Sequence, residues 1–122
     1  MRSVRIVRIL VALKPRTYRE VLALSLHQHR PNAEVLLCPP GVLDRETGRF
    51  EPHLVVLDDN DGAAQDELSG VLSRVEILLG ASMDARISVD GQAREVKDIC
   101  IEDLLTVVDE AEKMIPKEEA VD

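Results

Sequence analysis

Aromatic residues are almost missing. Tyr18 and Phe50 are the whole complement, and there is no tryptophan. The core must therefore be aliphatic, and base stacking on an aromatic platform is excluded as a grip on single-stranded nucleic acid. Positive charge is also short: 15 Lys/Arg stand against 23 Asp/Glu, for a net charge of -8. That balance disfavours nonspecific binding to DNA or to anionic membranes. Cysteine is limited to Cys38 and Cys100, far apart in a chain large enough to have a core. Buried free thiols in a reducing compartment are expected rather than a disulfide framework. Long apolar runs are missing as well. The N-terminal ones are broken by Arg5 and Arg8, with no 18-residue span and no secretory pattern. A cytoplasmic protein with no membrane and no nucleic-acid partner is the expectation. The six glycines are scattered, so neither a phosphate-cradling Gly-x-Gly-x-x-Gly nor a Gly-x-Ser-x-Gly nucleophile elbow occurs.

What is present fits one small globular domain. The chain has 122 residues and is 45% hydrophobic, which implies one core of ordinary size. Its charge is lopsided. Residues 1–50 carry nine Lys/Arg and four Asp/Glu, whereas residues 51–122 carry six and nineteen. Two differently charged faces follow, an asymmetry able to orient a protein partner.

Apolar runs and helical stripes alternate along the chain. Residues 4–13 end in a continuous apolar run, a first buried strand that Pro15 closes. Thr17 and Glu20 have the spacing of a capping box. Tyr18, Val21, Leu22 and Leu26 recur at helical spacing and predict the buried stripe of a first helix ending near Arg30. Residues 33–38 predict a second strand, and residues 42–50 a turn or two of helix. The run Leu54-Val55-Val56-Leu57 predicts a third strand, apolar throughout and so buried on both faces. A helix through Leu68, Val71 and Leu72 should follow, then a fourth strand at residues 75–79. Asp90-Gly91 between two alternating segments is a strong signal for a two-residue hairpin. A last helix places Ile101, Leu104, Leu105, Val108, Ala111 and Ile115 on one face. Residues 117–122 form an acidic tail expected to fray. Strands alternating with helices imply a parallel sheet covered on both faces.

Three constellations suggest chemistry. His27 and His29 form a His-x-His pair, but two residues apart on a helix they diverge. The stretch Asp59-Asn60-Asp61-Gly62 resembles the start of a calcium loop, but its first and twelfth positions would be Leu57 and Leu68, neither an oxygen ligand. There remains Asp58, at the end of the third strand. In open α/β sheets, chemistry gathers at the carboxyl ends of such strands. A carboxylate there holds Mg²⁺ or accepts a phosphoryl group only with further oxygen ligands and charge-stabilising neighbours.

Four segments together resemble the receiver domains of bacterial two-component response regulators. They are Val7 to Ala12 followed by Arg19-Glu20-Val21-Leu22, then Pro31 to Val35, then Pro52 to Asp58, then Val96-Lys97-Asp98 followed by Glu102-Asp103-Leu104-Leu105. The similarity spans most of residues 6–115. It implies a three-layer flavodoxin-like fold with a parallel five-stranded sheet, filling residues 1–116 as one receiver-like domain. It puts Asp58 at the family's phosphoacceptor position and Lys97 at its phosphate-contacting lysine.

The departures define the expected function. Leu13 and Lys14 stand where the family has the two acids that bind Mg²⁺, so no metal cofactor is expected. Gly80 stands at the hydroxyl position, with Ser82 two residues on. Asp59 completes the neighbours of the site. The family's fourth helix is expected to be remodelled into a β-hairpin near residues 84–97. The implied protein is a non-catalytic, stand-alone pseudo-receiver that signals through protein–protein contact, with a kinase or regulator as partner. Two surfaces are candidates: the basic flank of the first helix (Arg16, Arg19) and the hairpin (Ile87, Val89), the latter for a homodimer. Two other readings stand beside it. One is a phosphorylatable single-domain regulator using Asp58. The other is a small-ligand-binding flavodoxin-like domain with Asp58, Asp59 and Lys97 as contacts.

Overall fold

The computed structural model describes residues 6–13, 16–58, 71, 73–78 and 84–115. Within them, six strands form one mixed sheet and three helices flank it. The strands are β1 (Arg8–Ala12), β2 (Glu34–Leu37), β3 (Leu54–Asp58), β4 (Ser73–Leu78), β5 (Asp84–Val89) and β6 (Gln92–Val96). The helices are α1 (Arg16–His29), α2 (Leu43–Phe50) and α3 (Ile101–Lys113). The order across the sheet is β2-β1-β3-β4-β5-β6.

Only part of this sheet is parallel. β2, β1, β3 and β4 run parallel, but β5 pairs with β4 antiparallel and β6 with β5 antiparallel. The expected fifth parallel strand is therefore replaced by a hairpin that joins the sheet. Its cause is the turn. Val89 pairs with Gln92 across two residues, and Asp90 and Gly91 both take positive φ, at 50° and 83°. That turn matches the twist of its flanking strands, and a two-residue connection can only reverse the chain.

Alternation divides the core into two layers. Ile9, Val11 and Leu13, with Leu54 and Val56, face α1 and α3. Leu10, Ala12, Val55 and Leu57 face α2, whose Leu43 is buried among them. Residues opposed in this way along one strand explain why β3 is apolar from Leu54 to Leu57. Glu76 faces away from α3, where it meets Arg74 at 3.2 Å and Arg86 at 3.8 Å, which accounts for a charge on an inner strand. His53 is structural. Its ring Nδ1 accepts the Arg8 backbone N–H at 3.0 Å while the His53 backbone N–H donates to the Arg8 carbonyl at 2.8 Å.

The helices depart from the expected stripes. On α1, Leu26 is fully buried and Leu22 packs on the core, but Tyr18 is 41%, Val21 57% and Leu24 59% exposed. The helix is drawn down at its end, where the Arg30 guanidinium grips the Asp109 carboxylate through two 2.8 Å bonds. On α3 the buried set also takes in Val107. That helix starts from Cys100, whose backbone N–H donates to Asp103 Oδ2 at 3.1 Å. Asp103 is thus the reciprocal half of a capping box. Cys38 is buried as expected, but Cys100 is exposed, and neither is in a disulfide.

The expected helix through Leu68, Val71 and Leu72 and the acidic tail at 117–122 lie outside the described residues, apart from Val71, which packs against the α2-side core.

Candidate functional site

The strand order places the site. The chain goes from β1 out to β2, then returns to the other side of β1 for β3. The crevice between the carboxyl ends of β1 and β3 is therefore the point where the winding reverses, the place where open α/β sheets bind ligands. Asp58 ends β3 there and is only 2% exposed.

Its neighbour is apolar. Ala12 on β1 is in register with Leu57 on β3. One residue further on, Leu13 comes beside Asp58, on the same α1–α3 face, and is 3% exposed. An aliphatic side chain supplies no oxygen ligand for Mg²⁺. Among the described residues, no group of three or more His, Cys, Asp or Glu is placed to hold a metal ion. Lys14, Asp59, Gly80 and Ser82, the other expected neighbours, lie outside the described residues.

Lys97 is not brought to Asp58. The register runs Asp58 to Ile77, Ile77 to Ala85, and Ala85 to Val96. Three strand spacings at about 4.8 Å put Val96 roughly 14 Å from Asp58. Lys97 follows Val96 and is exposed. The inserted antiparallel β5 is the physical reason, because it occupies the place beside β4.

The expected surfaces also shift. Ile87 is 1% exposed and belongs to the core beneath α3, and Val89 packs against the same core. They do not form a free hairpin face. Arg16 stays on the surface and pairs with Glu20 at 2.8 Å. Arg19 turns inward, and its guanidinium Nη1 donates to the Leu13 carbonyl at 2.9 Å. It ties the start of α1 to the end of β1 and sets a cation at the rim of the crevice. Its spacing of six residues from Leu13, with Pro15 between them in the sequence, is the only trace of this in the sequence.

Beside the crevice lies a feature that alternation did not reveal. A groove of about 190 Å³ opens between α1 and α3, with Leu13, Val56 and Ile77 among its lining, Tyr18 and Val21 on one wall, and Ile101 and Leu104 on the other. Cys100 stands at its mouth. The Asp103 backbone N–H lowers the pKa of the Cys100 thiol, but the carboxylates of Glu102 and Asp103 outweigh it and push the thiol above its ordinary value. The thiol is thus held protonated rather than activated.

Comparison with protein-family models, with curated proteins and with solved structures finds no match for this chain.

Proposed function

We propose that the chain is a pseudo-receiver: a flavodoxin-like, receiver-type signalling domain that has kept the phosphoacceptor position and lost phosphoryl chemistry. The reading rests on the resemblance in sequence together with one observation. Asp58 ends β3 at the switch point, as a phosphoacceptor would, yet the side chain beside it is Leu13. A phosphoryl group arriving there would need charge neutralised by a metal or a cation. Leu13 offers no oxygen ligand for a metal, and Lys97, at the family's phosphate-contacting position, sits three strands away. On this reading Mg²⁺ is not the cofactor and the domain is not an enzyme.

Such a domain acts through contact with a protein partner in the cytoplasm. Its uneven charge favours a partner that meets one face. No described helix is long and apolar enough to cross a membrane. Complementation tests the reading. In a strain lacking this chain, Asp58→Asn should restore the phenotype as well as the wild type does. A folded Asp58→Asn protein that fails to complement would overturn it.

A further inference from the structure

We infer that the outer edge of β2 is the contact surface of a two-fold dimer. In it, β2 of one copy pairs antiparallel with β2 of the other, centred on Leu36, and the two sheets join into one. The inference stands apart from the signalling reading, since it needs only the backbone and side chains of β2.

The main chain supplies the first argument. β2 is an outermost strand of the sheet. The Glu34 N–H donates to the Val7 carbonyl at 2.9 Å, and the Cys38 N–H donates to the Val11 carbonyl at 3.1 Å. In a parallel ladder alternate residues bond to the neighbouring strand. Glu34, Leu36 and Cys38 therefore direct their main-chain groups at β1, and Val35 and Leu37 turn theirs outward. Among the described residues no backbone group bonds to these outward ones. Such a row of N–H and C=O groups is a template for another strand. It is within reach, since Glu34 and Leu37 are exposed and Val35 and Leu36 half-buried.

The order of the residues selects a second copy as the occupant. A two-fold axis through Leu36, normal to the sheet, sets Val35 opposite the other copy's Leu37, and the reverse. Each of these two pairs exchanges two hydrogen bonds, so both outward residues of each copy are satisfied. The facing side chains are then Val35 with Leu37 on one face and Leu36 with Leu36 on the other, with no charge among them. Leu37, at 37% exposure, gains a cover. Shifting the axis by one residue spoils the match. An axis at Val35 sets Glu34 against the other copy's Leu36. It also calls on the Ala33 N–H, which the Arg30 carbonyl already holds at 3.0 Å. An axis at Leu37 calls on Pro39, which has no N–H.

The opposite edge of the sheet lacks this self-complementarity. Val89 pairs with Gln92 across the turn, so by the same alternation Ala93 and Glu95 turn outward on β6. An axis that uses both passes through Arg94, whose guanidinium already meets Glu110 at 3.3 Å. β6 thus places arginine directly opposite arginine, an unfavourable pair, where β2 places leucine opposite leucine. One short strand from each copy is a small contact, so the dimer is reversible.

Sedimentation velocity on the full chain tests this across a range of concentrations. The mass should rise with concentration from 13.5 kDa toward twice that value. Added salt should raise the heavier population, because the contact is uncharged while each copy carries a net charge of -8. Leu37→Pro should abolish the heavier species and leave the circular-dichroism melt unchanged, since it removes an N–H that faces outward from an edge strand. If that melt falls, Leu37→Lys sets a charge at the same exposed position and should also abolish the dimer. The register has its own test. In a Cys100→Ser background, Leu36→Cys should form a disulfide between copies on air oxidation, because the facing Cα atoms stand about 4.5 Å apart. Leu37→Cys, which faces Val35, should not. A mass that stays at the monomer value at every concentration would overturn the inference. So would a dimer that survives Leu37→Lys, or cross-linking through Leu37→Cys in place of Leu36→Cys.

Discussion

Leu13 and Asp58 lie side by side at the carboxyl ends of β1 and β3, on one face of the sheet and both buried. Beside this buried carboxylate stands an aliphatic side chain. On the proposed reading that pairing separates the address of a phosphoacceptor from its chemistry, and it sets the first expectation. Wild-type protein should show no change in thermal unfolding on adding Mg²⁺. Leu13→Asp combined with Lys14→Asp puts acids at the two positions where the receiver resemblance implies Mg²⁺ ligands. This variant should unfold earlier without Mg²⁺, since burying a carboxylate is costly, and recover part of the loss with it. A Mg²⁺-dependent shift in the wild type would contradict the account of the site.

Arg30 and Asp109 give a pH-dependent contribution. The Arg30 hydrogen bonds hold the Asp109 carboxyl below its ordinary value of 3.8. A carboxylate with a depressed folded pKa stabilises the fold above its unfolded pKa and loses that stabilisation as the pH falls through the folded value. Both side chains are more than a third exposed, so solvent screens the pair. Asp109→Asn should cost about 0.5–1 kcal/mol at pH 7 by urea unfolding. The gap should close as the pH drops below the ordinary carboxylate range.

The uneven burial of α1 predicts a split in mutational cost. Leu26→Ala removes a fully buried side chain and should lose about 2–5 kcal/mol. Leu24→Ala, two residues away on the exposed side, should change stability by under about 0.5 kcal/mol. Equal costs would mean that α1 is rotated about its axis from the orientation described.

The hairpin turn is testable at Gly91, whose φ is 83°. An L side chain there is strained, so Gly91→Ala should destabilise by about 1–2 kcal/mol. The loss should appear first in hydrogen exchange of β5 and β6.

Much of this was legible in the residues, and the failures have physical causes. β3 could be read because an apolar run between a proline and an acid has few other uses. The Asp90-Gly91 hairpin could be read because the positive φ values of its turn favour those residues. The insertion of β5 into the sheet beside β4 was missed because burial does not record which strands pair or in what direction. Ala85 and Ile87 are as buried as a parallel strand would make them. Tyr18 and Val21 were misplaced because helical spacing defines a stripe without fixing how far the neighbouring helix stands off. α3 leaves a groove there. Arg19 was missed because a cation near a helix start reads as surface, whereas a local carbonyl claims it.

The most direct measurement is intact mass after incubating the full chain with acetyl phosphate and Mg²⁺. The account predicts an unchanged mass for the wild type and for Asp58→Asn alike. A gain of one phosphoryl group in the wild type, lost in Asp58→Asn, would contradict it.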